Sequence, residues 1–136
     1  MKEKSIAERV LMCKAIEGCP ELTPAQRLIC SCILRWYQGK KPSFRVRQST
    51  IAKRLRMTTR TVVAAMTKMK SLGIMDTWKV AGSDIHQKRV NHPHDVFTSD
   101  YLDAVSKRSY VADEWVDKPI FINMKNDMSV QRNSAE

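Results

Sequence analysis

The side chains best suited to bond-making chemistry are three histidines, His86, His92 and His94, and four cysteines, Cys13, Cys19, Cys30 and Cys32. Their spacing argues for little of it. Cys30 and Cys32 stand two apart in a helical pattern, so their thiols point about 200° from one another and make a poor pair of metal ligands. His92 and His94 would share one face of a strand, but polar loop histidines are the simpler explanation. No pair of carboxylates stands in a cleft-forming pattern, and no serine or cysteine lies in a nucleophile motif. The four glycines leave little material for a phosphate-binding loop. No enzyme activity, catalytic residue, metal site, cofactor or small-molecule ligand is therefore expected. The thiols are expected to be free and packed as small hydrophobes in a reducing cytoplasm.

What the residue types favour instead is recognition of a polyanion. The 136 residues carry 24 Lys and Arg against 14 Asp and Glu, a net charge of +10. The excess is concentrated. From Leu22 to Met75 there is no Asp or Glu, while Arg27, Arg35, Lys40, Lys41, Arg45, Arg47, Lys53, Arg54, Arg56, Arg60, Lys68 and Lys70 all fall there. The remainder of the chain is slightly acidic. Like charges crowded onto one fold repel, so such a segment costs stability unless an anionic partner, most often nucleic acid, compensates it. Apolar residues at 43% suffice for the core of one domain. No apolar run approaches the roughly 18–20 residues of a membrane span, and the N-terminus lacks a signal-peptide pattern.

The elements that must position this charge begin as helices. Ser5 and Glu8 have capping-box spacing and predict a helix ending at Gly18, with Ile6, Val10 and Cys13 repeating on one side near Leu11 and Ile16. Thr23 as N-cap and Pro24 in the first turn predict a second helix, burying Leu28, Ile29, Cys32, Ile33 and Trp36 and stopping near Gly39. A basic loop with Pro42 runs from Lys40 to Phe44. Two short helices follow. Ser49 caps the first, with Ile51, Ala52 and Leu55 inward; Thr58 caps the second, with Val62, Ala65, Met66, Met69 and Leu72 inward and Gly73 closing it. Arg56 and Met57 are too short a junction to be flexible, so the two must meet at a sharp angle.

After Gly73 the period becomes two. Ile74, Asp76, Trp78 and Val80 share one face of a strand that leads to a turn at Gly82, Ser83 and Asp84. The return strand is placed at His94 to Thr98, with Pro93 outside the ladder and Lys88 and Arg89 at the hairpin tip. Ser99 or Asp100 caps a last short helix through Tyr101, Leu102 and Val105. Beyond it Pro119 to Ile122 is an apolar island, and residues 129–136 have the composition of a disordered tail.

Two short helices at a sharp angle followed by a β-hairpin make a winged helix-turn-helix. The expected fold class is mainly α with a small β-hairpin wing: a DNA-binding domain over residues 1–106 and a partly disordered C-terminal extension over 107–136. In this reading helix 58–72 enters the major groove of double-stranded DNA. Thr59, Arg60, Val63, Ala64 and Thr67 lie away from its core stripe and are the expected base-reading residues. Short side chains let the backbone approach closely, Arg60 can bond guanine bidentately, and Val63 can pack on a thymine methyl. The expected backbone contacts are Arg45, Arg47, Ser49, Lys53, Arg54, Arg56, Thr58, Thr61, Lys68, Lys88 and Arg89, with Lys70 further along the second helix. Thr58 leaves the helix N-terminus near the surface, where it favours phosphate.

The blocks Leu22-Thr23-Pro24-Ala25-Gln26-Arg27-Leu28, Pro42-Ser43, Ser49-Thr50-Ile51-Ala52-Lys53-Arg54-Leu55, Thr58-Thr59-Arg60-Thr61-Val62 and Leu72-Gly73-Ile74 stand in that order. Over about Glu21 to Val80 the chain thereby resembles the helix-turn-helix domains of plasmid and phage replication and regulatory proteins, including small StbA-type plasmid stability factors. The resemblance implies DNA binding in replication, repression or plasmid maintenance. One departure stands out: the family usually has glycine in the turn where this chain has Arg56. The alternative function is a winged helix that binds protein rather than DNA, docking through the Ile120-Phe121-Ile122 island. A homodimer is compatible with the DNA reading, because one helix-turn-helix covers only a few base pairs; the first helix or the C-terminal segment would supply the contact.

Overall fold

Helix starts dominate the local order of the computed structural model, which describes residues 4–107, Trp115 and residues 118–122. At α1 (Ile6–Glu17) the Glu8 amide donates to Ser5 Oγ at 3.1 Å and the Ser5 amide to the Glu8 carboxylate at 2.9 Å. At α2 (Pro24–Cys32) Thr23 and Gln26 make the same reciprocal pair at 3.2 and 3.0 Å. Each box satisfies two amides that a helix start leaves without partners. α3 (Gln48–Leu55) departs from expectation. It starts at Gln48 with Arg47 at the N-cap and no side-chain cap bond, so Ser49 lies inside the first turn and does not cap. α4 (Thr59–Ser71) starts as its sequence predicts, with the Thr61 amide donating to Thr58 Oγ1 at 3.2 Å.

Two apolar stripes differ from expectation. α1 buries Met12, Ala15 and Ile16, while Ile6 and Val10 face outward. Both sides of this helix carry apolar residues at helical spacing, and periodicity alone does not choose between them. On α2 Ile29, Cys32 and Ile33 are buried, but Leu28 and Trp36 are exposed. After Cys32 the helix widens into a π segment, Ile33–Gln38. The extra residue per turn rotates Trp36 out of the stripe that α-helical counting assigns it.

α3 and α4 pack on each other through Ile51, Ala52, Val62 and Ala65, all buried, with Leu55 and Met57 partly so. The turn between them depends on Arg56, whose φ of 57° and ψ of 43° are left-handed. It is the one non-glycine residue with positive φ among the described residues. A side chain takes up the conformation that glycine adopts without steric cost.

The sheet is small, antiparallel and ordered β1-β3-β2, with β1 (Phe44–Arg45), β2 (Met75–Trp78) and β3 (Gln87–Val90). Phe44 pairs with Lys88 and Met75 with Val90. The return strand is thus not at His94 to Thr98. That stretch begins as a short helix, α5 (Pro93–Val96), with Pro93 in its first turn. Phe97 does make an isolated antiparallel bridge, but with Phe121. Beyond β1, the free edge of β3 is completed by side chains. The buried Gln38 amide both accepts from the Val90 N–H and donates to the Val90 carbonyl, which also accepts from the Lys4 ammonium.

α6 (Ser99–Lys107) is capped by Thr98 rather than by Ser99 or Asp100; the Tyr101 amide donates to Thr98 Oγ1 at 3.3 Å. Tyr101, Leu102 and Val105 are buried as expected. The Tyr101 hydroxyl donates to the Ala15 carbonyl at 2.6 Å, joining α6 to α1. Phe97, Tyr101, Trp115 and Phe121 form one aromatic cluster with ring centroids 5.1–5.5 Å apart. Trp115, Ile120 and Phe121 therefore contribute to the common core, although they fall in the stretch expected to be an extension. The molecule is mainly helical with a three-stranded antiparallel sheet. No described helix is long and apolar enough to cross a membrane. Residues 129–136, expected to be disordered, lie outside the described residues.

Candidate nucleic-acid interface

Burial of Val62, Ala65, Met66 and Met69 fixes the rotation of α4 and turns its other side out. Thr59, Arg60, Val63, Ala64 and Thr67 are all exposed, so the five residues expected to read bases share one open face. None carries negative charge. At the start of the helix Thr58 and Thr61 hydroxyls bond each other at 2.9 Å, holding both at the exposed N-terminus.

The start of α3, the outward side of α4 and the β2–β3 loop enclose an open cleft of about 300 Å³, lined by Arg47, Ser49, Thr59, Thr67, Lys70, Thr77, Asp84 and His86, among others. Hydroxyls and cations dominate its walls, as contact with an anionic backbone requires. Asp84 is the exception. It pairs with Arg47 at 3.3 Å, and both side chains are largely exposed, so the pair ties α3 to the loop with little electrostatic strength.

The expected backbone contacts divide. Arg45, Ser49, Lys53 and Arg56 are exposed, and Lys68 is half-buried. Arg54 is exposed with its guanidinium 4.2 Å from the Trp36 ring centroid and 5.7 Å from that of Tyr37. A cation over an aromatic face is attracted to the ring, so Arg54 is held in place.

Lys88 and Arg89 are not at the hairpin tip, because β3 begins before them. Lys88 is 4% exposed, and its ammonium donates to the carbonyls of Val46 at 2.8 Å and His86 at 3.0 Å. Burial, and then the charge of Lys70, push its pKa down. A lysine so occupied is a strut between the sheet and the approach to α3, not a free phosphate contact. Arg89 sits in the strand and pairs with Asp76 at 2.8 Å and with Asn91 Oδ1 at 2.8 Å. The exposed loop residues are instead Lys79, Ala81, Gly82, Asp84 and His86. Lys79 and His86 were missed because the inward lysine at position 88 breaks the polar–apolar alternation by which β3 would be found.

The groups with potential reactivity are placed otherwise. His92 is the N-cap residue of α5, with Nδ1 3.0 Å from Glu8 Oε2, and His94 is exposed on α5, so they do not share a strand face. All four cysteines are free thiols. Burial raises the pKa of each, pushing Cys19 up to about 11, which keeps the thiols protonated near neutral pH and poorly nucleophilic. Among the described residues no group of three His, Cys, Asp or Glu side chains is arranged to hold a metal ion. No protein-family profile matches the chain, and no curated protein sequence matches it significantly.

Proposed function

We propose that this protein binds double-stranded DNA sequence-specifically as a winged helix-turn-helix, with α3 and α4 as the helix pair and the β2–β3 hairpin as the wing. The observation that carries the reading is the outward face of α4: five short or cationic side chains, all exposed, on a chain segment with no acidic residue from Leu22 to Met75. In the bound complex α4 lies in the major groove, Arg60 bonds a guanine edge, and the threonines and Val63 meet neighbouring bases. Arg45, Ser49, Lys53, Arg56 and the start of α4 hold phosphates, and the hydroxyl-lined cleft between α4 and the loop takes a backbone strand. Lys79 and His86 replace Lys88 and Arg89 as wing contacts. Such a role fits replication, repression or plasmid maintenance equally.

For the protein-docking alternative, Ile120 and Phe121 of the island are buried against the chain's own core, and Ile122 is the one of the three left exposed. Selection of bound sites from a random duplex pool, followed by titration in rising salt, tests the proposal. A single enriched motif and a fall of log K with log salt at a slope of about −5, the value for roughly six neutralised phosphates, are expected. Absence of enrichment together with a slope near zero rejects it.

A further inference from the structure

The β2–β3 loop holds its own shape. The Ser83 amide donates to the Val80 carbonyl at 3.1 Å, and Ser83 Oγ accepts from the Ile85 amide at 3.1 Å. The buried Lys88 ammonium fixes where the loop lies, because it bonds the carbonyls of both Val46 and His86. That clamp brings Arg47, next after Val46, against Asp84, two before His86. Among the described residues lining the cleft between α3, α4 and the loop, Asp84 is the one carboxylate. Its two oxygens both stand 3.3 Å from the same guanidinium nitrogen, Arg47 Nη2. One nitrogen shared between two oxygens is weaker than the two parallel bonds that Arg makes with a carboxylate or a phosphate. Both side chains are largely exposed, so the pair adds little to the hold on the loop.

We propose that Asp84 is a placeholder for a backbone phosphate. In the free protein its carboxylate occupies the anion position at Arg47. In the complex a phosphate of the duplex takes that position, and Asp84 turns out to solvent. This role rests on the DNA reading and adds to it the regulation of its cleft. The walls favour the exchange: Arg47, Lys70 and the hydroxyls of Ser49, Thr59 and Thr67 line the same space, and together they suit a phosphate better than one nitrogen suits a carboxylate. An exposed ion pair breaks at small cost, so the exchange is open to any duplex that reaches the cleft. A carboxylate left beside the strand repels it. Asp84 thereby holds down the affinity of the cleft, and Arg47 becomes a phosphate contact only once Asp84 releases it.

Titration of the full chain with a short duplex of random sequence, at several salt concentrations, tests it. Asp84→Asn keeps the shape of an exposed side chain and removes its charge. It should tighten binding about fivefold and steepen the salt slope by about 1, with the urea midpoint unchanged. Asp76→Asn removes the same charge from an exposed carboxylate that pairs with Arg89 outside the cleft, and should change Kd by less than about twofold. On an Arg47→Ala background the gain from Asp84→Asn should shrink to the Asp76→Asn level, because no cation is left to release. Equal gains from Asp84→Asn and Asp76→Asn would reduce the effect to net charge and overturn the proposal. Weaker binding by Asp84→Asn would make the pair a brace, and an undiminished gain without Arg47 would make Asp84 a simple repeller; each overturns it while the DNA reading stands. A wild-type chain that binds no duplex even at low salt rejects the DNA reading, and the placeholder with it.

Discussion

The outward face of α4 carries Thr59, Arg60, Val63, Ala64 and Thr67 with no carboxylate, whereas α1 turns out Ile6, Val10 and Cys13 with Arg9, Lys14, Glu17 and Arg35 around them. Both helices bury apolar residues on their other side, and that burial decides which side each turns out. The difference lies in what each could meet. A surface of one charge sign with small side chains suits a uniformly anionic, deeply grooved partner. The α1 face has an apolar centre and a mostly cationic rim, and is not complementary to itself. The DNA proposal rests on the α4 face, and the two faces share no residue.

The largest effect is expected where the α4 face is held in position. Ala52 is 2% exposed between α3 and α4, and its carbonyl accepts from the Met57 amide at 2.9 Å in the turn. Ala52→Glu buries a carboxylate without a partner and should cost about 4 kcal/mol or more in urea unfolding. Wild-type stability in this variant would mean that the helix pair is not held by close approach at this point, and the orientation of α4 would lose its basis.

Arg60→Ala should act on the α4 face alone. A bidentate base contact is worth about 1–3 kcal/mol in discrimination, so affinity for a selected site should fall by that amount more than affinity for random duplex. Equal losses on both duplexes would show Arg60 to be a backbone contact.

Arg56→Gly is expected to move stability and binding in opposite directions. The left-handed turn costs a residue with a side chain about 1 kcal/mol, and glycine relieves it. The same change removes one exposed cation from the proposed phosphate contacts, so the salt slope should shrink by about 1. Higher stability with an unchanged slope would place Arg56 outside the interface; lower stability would show that its side chain makes contacts that outweigh the strain.

The parts of the molecule legible in the sequence are those fixed within a few residues. The capping boxes at Ser5 and Thr23, the cap at Thr58, the buried stripe of α4 and the turn at Gly82 depend on neighbours three or four positions apart, and each stands as its spacing predicts. The elements that were misplaced depend on distant partners. β1 is two residues long and exists because Phe44 meets Lys88. β3 is completed by Gln38, fifty-two positions away, and contains a lysine whose stem faces inward. Pro93 starts a helix instead of standing outside a strand ladder, the same role that Pro24 has in α2. For the candidate site, the α4 face was legible because its rotation follows from one stripe. The wing was not, because its tip moves with the register of β3. The exposed side of α1 was visible as a stripe, but only packing against α6 and α2 shows which stripe is inside.

The smallest predicted effect belongs to α1 and to acid. Glu8 accepts from the Ser5 amide and lies 3.0 Å from His92, and these bonds, the Ser5 amide first, hold its pKa down at about 2 against an ordinary 4.5. A carboxylate whose folded pKa is depressed contributes stability that is complete above the unfolded value and is lost as pH falls through the folded one. The contribution of Glu8 should therefore be full above about pH 4.5 and disappear toward pH 2. Glu8→Gln keeps a side chain that can complete the capping box but removes the charge. Its urea midpoint should lie below wild type near pH 6 and converge with it on acidification. The difference between the two curves isolates Glu8 from the other carboxylates, and parallel curves from pH 6 to pH 2 would mean that the carboxylate charge at the start of α1 does nothing beyond what an amide does.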